Sequence, residues 1–176
     1  MDTNDAHYAL VRGNFKKAQS SLENILKSRG GVYIELAAIE GIARLQVALG
    51  QLDECERALD RIAGIRANRL QLAYTVRGAA AVRVKLLTRL GQCERAADLA
   101  GNELREFARV NDSGSSVALR TLRALALACS GNTAECAQDL FDAALLGGAT
   151  SREHQADYNH TCGLILSKCG QTVFAD

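Results

Sequence analysis

The chain has 176 residues, 48% of them apolar, and sets 21 basic against 20 acidic side chains for a formal net charge of +1. That length and apolar content suit one domain or one short repeat array with a core of its own. The balanced charge excludes a bulk pull toward nucleic acid or an anionic membrane surface, and apolar runs such as 124–129 are far too short to span a bilayer.

Proline is absent, alanine, leucine, arginine, glutamate and glutamine dominate, and no β-branched or aromatic run alternates over a strand length, so every predicted element is a helix. The first is short, residues 5–12, and stops at Gly13-Asn14-Phe15. Beyond Gly30-Gly31, read as a break between helix pairs, a helix over 35–49 runs into Gly50-Gln51-Leu52. The helix that follows carries Leu52, Cys55, Leu59 and Ile62 at helical spacing, with Asp53, Glu54, Glu56, Arg57, Asp60 and Arg61 on the other side. The pattern then recurs. A helix over 71–90 ends at Gly91-Gln92-Cys93 and one over 117–130 at Gly131-Asn132-Thr133. After a second break at Gly147-Gly148, a helix over 153–169 ends at Gly170-Gln171-Thr172. Within 117–130 the residues Leu122, Leu125, Ala126, Leu127 and Cys129 nearly encircle the axis, as in a helix covered on several sides.

Successive turn glycines lie 37, 41, 40 and 39 positions apart. Each suits the left-handed conformation just past a helix end, which folds two helices into a hairpin. Five residues after the first four glycines stand Ala18, Cys55, Ala96 and Cys136, followed four residues on by Leu22, Leu59, Ala100 and Leu140. Seven residues before the last four stand Ala43, Val84, Ala124 and Gly163, mostly small, which lets paired helices approach closely. These positions resemble the tetratricopeptide repeat family in its long-period form, similar to arrays in bacterial signalling and transcription regulators. The chain departs from that family in its period near 40, its missing proline and the absence of an aromatic anchor early in the first helix. The resemblance implies an all-α, right-handed superhelical solenoid of about four antiparallel helix pairs plus a terminal helix, forming a single repeat domain over 1–176. A shortened first helix and only six residues after Gly170 leave the ends uncapped, so the expectation is an excised segment or ends that pair with a partner or second copy.

Cysteines 55, 93, 129, 136, 162 and 169 form no C-x-x-C pair, and Met1-Asp-Thr-Asn-Asp is no signal peptide, which points to a reduced, cytoplasmic chain. Cys55 and Cys136 occupy the small-residue contact and read as small hydrophobes. His154 and His160 lie about 240° apart around one helix and cannot chelate from one face, so neither a metal nor a cofactor is expected. No nucleophile, base and charge stabiliser can be assembled, which argues against an enzyme. The resemblance instead implies a groove lined by first helices. Its positions here are Ala37, Glu40, Arg44, Val47, Ala81, Lys85, Thr88, Arg89, Thr121, Leu125, Ala128, His160, Leu164 and Lys168. The bases among them make the groove modestly basic, suited to a protein or peptide segment carrying acidic groups. Two other roles remain open: a sensory or regulatory module attached to an output domain, and a self-association module forming a homo-oligomer.

Overall fold

The computed structural model describes residues 3–28, 30–67, 77–108, 113–147 and 152–168. The protein is all-α. Among the described residues nine helices follow one another with no strand between them: α1 (Thr3–Val11), α2 (Phe15–Lys27), α3 (Val32–Leu49), α4 (Leu52–Ala67), α5 (Arg77–Arg89), α6 (Cys93–Ala108), α7 (Ser113–Cys129), α8 (Thr133–Gly147) and α9 (Arg152–Lys168). None of these is long and apolar enough to cross a membrane. The odd-numbered helices are the expected first helices and the even-numbered ones the second. α3 begins at Val32, earlier than its apolar periodicity suggests, because the Gly31 carbonyl accepts the amides of Ile34 and Glu35 and so opens the helix. α7 begins at Ser113, inside a Ser-Gly-Ser-Ser run that has no apolar period to reveal it. Gly148, Cys169 and Gly170, together with the start of the 71–90 helix, lie outside the described residues.

The hairpin turns follow from backbone accounting. Gly13, Gly50, Gly91 and Gly131 hold φ between +72° and +83°, where glycine alone avoids a Cβ clash. Each turns its amide back to the carbonyl three residues earlier, and the next residue reaches five residues back: Gly50 to Val47 and Gln51 to Gln46, Gly91 to Thr88 and Gln92 to Leu87. This double closure satisfies carbonyls that a helix end otherwise leaves open. The residue after the glycine then starts the next helix, since the carbonyls of Asn14, Gln51, Gln92 and Asn132 accept the amides of Ala18, Cys55, Ala96 and Cys136. Asn14 and Asn132 also cap with their side chains, accepting the amides of Lys17 and Glu135 at 3.3 Å, and Asn132 Nδ2 donates to Glu135 Oε1 at 2.9 Å. The recurring Gly-Asn or Gly-Gln pair is therefore an end signal and a start signal placed back to back.

The helices gather into two compact units, Met1–Leu86 and Leu87–Asp176. In the first, α1 pairs with α2, α3 packs on both, and α4 pairs with α3. Its core joins Leu36, Ile39, Ala43 and Val47 of α3 with Cys55, Leu59 and Ile62 of α4 and with Ala79, Val82 and Leu86 of α5. A smaller cluster sets Ala6 of α1 against Leu22 and Ile25 of α2 and Ala38 of α3. A Cβ at Gly41 would meet Leu22 Cδ2 at 2.7 Å, so glycine there brings α2 and α3 together. In the second unit α7 is central, packing on α6, α8 and α9, while α9 also touches α8. The small-residue positions do the work expected of them: Ala18, Ala43, Cys55, Val84, Ala96 and Ala124 are fully buried. Gly163, the fourth of the set that precedes a turn glycine, is exposed instead.

Candidate functional site

The residues expected to line a groove fall in both units. In the first unit Glu40 and Arg44 lie one turn apart on α3 and form a pair, with Arg44 Nε donating to Glu40 Oε1 at 2.8 Å and Nη2 at 2.7 Å from the same oxygen. They line a cleft of about 200 Å³ with Asn4, His7 and Leu10 of α1, Leu22 of α2, and Ala37 and Gly41 of α3. Glu40 also lies against α5, where a side chain at Gly78 would collide with its carboxylate. The structure thus sets Glu40, Arg44 and Ala37 in one concavity between first helices. Arg44 does not face it as a bare cation, because Glu40 matches its charge. Val47 is buried in the core, whereas Lys85 is exposed on α5.

In the second unit Arg89 and His160 are exposed and Leu125 is half-buried. Thr121 is buried, and its hydroxyl donates to the Val117 carbonyl of its own helix at 2.8 Å, so it packs within α7. Lys168 ends α9, and its side chain lies outside the described residues, as does that of His154.

Sequence reading missed an ionic cluster between α7 and α8. Asp139 is 2% exposed, with Oδ1 at 3.1 Å from Arg120 Nη1 and Oδ2 at 3.1 Å from Arg123 Nη1. Around that centre, Asp142 Oδ2 lies 2.8 Å from Arg120 Nη1 and Glu135 Oε2 lies 2.5 Å from Arg123 Nη2. Burial pushes the Asp139 carboxyl above its ordinary range; Arg123 and Arg120 pull it down and Asp142 adds to the rise. A signal was present in the repeat register. Counted from the turn glycine, the positions of Arg120, Arg123 and Asp139 are Ile39, Ile42 and Ala58 in the α3–α4 hairpin. An apolar contact in one hairpin is an ionic one in another, which helical periodicity alone does not reveal.

Cys55 and Cys136 are buried in helix contacts, and burial raises the Cys55 thiol to about 11, with Arg83 lowering it and Glu56 raising it further. A thiol so held stays protonated and packs as a small apolar group. Cys93 and Cys129 line a second cleft of about 340 Å³ at the Gly91 turn, with Gln92, Glu94, Arg95 and Ser130. Among the described residues no three of His, Cys, Asp and Glu converge as a metal ion would require. Set against protein-family models, curated proteins and solved structures, the chain matches none.

Proposed function

We propose that the helix pairs form a short right-handed superhelical solenoid of the tetratricopeptide-like type, and that it is a binding module for a protein segment rather than an enzyme. The observation that carries this reading is the cleft of the first unit lined by α1, α2 and α3, where Ala37, Glu40 and Arg44 converge. Repetition supports it as well: four turns with the same hydrogen bonds, each followed by a helix with a small buried residue at the same place. Helix pairs that cannot bury their own apolar faces stack on their neighbours, and the first helices then present a continuous concave surface.

The preferred ligand is a segment carrying acidic groups. Arg44 reaches it by exchanging Glu40 for the ligand's carboxylate, and Lys85 of the same unit adds exposed positive charge on α5. The test is fluorescence anisotropy with a set of labelled, acidic, amphipathic peptides of about twelve residues, long enough for roughly three helical turns. The tightest binder should lose more than about tenfold in affinity when Arg44 and Lys85 are both changed to glutamate. Glu40→Gln, which frees Arg44, should tighten it, and Arg57→Glu on the outer side of α4 should leave it unchanged. Equal affinity across all these variants would sink the basic groove.

A further inference from the structure

The outward face of α8 differs from that of every other second helix. Counting three, seven, ten and fourteen residues past the turn glycine, α4 presents Asp53, Arg57, Asp60 and Gly64, α6 presents Glu94, Asp98 and Arg105 with a half-buried Gly101 beside Arg123, and α2 presents Lys16, Ser20, Glu23 and Lys27. At the same positions α8 presents Ala134, Gln138, Phe141 and Leu145, joined on that side by Ala137 and Ala144. All six are exposed, Phe141 at 59% and Leu145 at 68%. An uncharged stripe, apolar except for Gln138, where three sister helices are charged is a surface made to be covered.

We propose that this stripe is an isologous interface between two copies of the chain, packed as an antiparallel α8–α8 pair. Three observations select a second copy. The stripe carries no charge, and the carboxylates at its edge, Glu135 and Asp142, are already matched by Arg123 and Arg120 of the same chain. A copy can therefore approach itself without like charges meeting, and neither a charged peptide nor an anionic lipid surface finds a counter-charge there. The stripe is also lopsided, small at its N-terminal half (Ala134, Ala137) and bulky at Phe141 and Leu145. Inversion about a two-fold axis near position 139 sets Phe141 of each copy over Ala137 of the other, where large meets small, and Ala144 over Ala134, where two small side chains let the helices approach. Finally, the stripe offers on the order of 400 Å² of apolar surface, about half the roughly 800 Å² per partner of a standard interface, so the dimer is weak and reversible.

Sedimentation equilibrium of the full chain from roughly 10 μM to 1 mM spans the range for a contact of that size. A monomer–dimer equilibrium is expected, weakened at least about tenfold by Phe141→Glu or Leu145→Glu, each of which buries a carboxylate in the contact. Helical circular dichroism should be unchanged in both, since neither side chain is packed in the core. Asp60→Ala, at the matching place on α4, should leave the dimer as it is. Mixing the Phe141→Glu chain with an Ala137→Lys chain should restore association, because the antiparallel register sets those two side chains together. A chain that stays monomeric throughout, a dimer indifferent to both glutamates, or no gain on mixing would each overturn the proposal.

Discussion

At Gly50 the backbone holds φ +76°, which an L side chain enters only against Cβ strain, whereas Gly64 sits inside α4 with open space where a Cβ would lie. The two positions reverse the sign of one substitution. Gly50→Ala should cost about 1–2 kcal/mol, the penalty for a left-handed alanine. Gly64→Ala should stabilise by about 0.5–1 kcal/mol through the lower entropy of the unfolded chain and better helix propensity. Urea denaturation of both variants checks the pair, and a shift of the same sign in both would contradict the turn geometry. This scale was the most legible in the sequence. A glycine followed by an amide at a regular interval states its own backbone conformation, and small residues at fixed distances from it state where helices touch. Thr121 was not legible, because counting back from the glycine cannot tell a groove-facing hydroxyl from one that turns into its own helix.

Between elements, the α7–α8 contact is the place where local rules fall short. Helical periodicity does not mark Arg120, Arg123 and Asp139 as partners, yet Asp139 is buried between the two helices and both arginines reach it. Asp139→Ala takes from both arginines the buried carboxylate they share and leaves them only the more exposed Asp142 and Glu135, so it should cost about 1–3 kcal/mol. Substituting the whole set by what the sister hairpin carries, Arg120→Ile, Arg123→Ile and Asp139→Ala together, should give a protein about as stable as the parent, because desolvating the ions offsets most of their attraction. Denaturant midpoints for the single and triple variants distinguish the two cases, and a triple variant as unstable as the single one would mean the ions contribute net stability. The helices themselves were read from periodicity with few errors. What periodicity lacks is the partner helix, which decides whether a polar position faces water or another charge.

For the molecule as a whole, the net charge of +1 and the uncharged α8 stripe bear on the same measurement. An association driven by apolar burial is not screened, so raising sodium chloride from about 0.1 to 0.5 M, which shortens the Debye length from about 10 to about 4 Å, should leave the self-association constant unchanged or slightly stronger. Binding of an acidic segment at the Arg44 cleft should weaken over the same range. Titrating salt therefore separates the two surfaces in one preparation, and a dimer that dissolves with salt would point to charged contacts elsewhere. The overall charge balance was legible at once, but its distribution was not, since the neutrality of one helix face emerges only when the turn glycines align the sister helices.

The four glycine turns satisfy their backbone groups from within, each closing on carbonyls three and five residues behind it and opening the next helix from the residue just ahead. A stretch of chain cut from one such turn to the next carries its own punctuation at both junctions. Duplicating or deleting that stretch in frame asks nothing new of the flanking backbone, so a change in length by one such stretch leaves the hydrogen bonds of every remaining turn as they are.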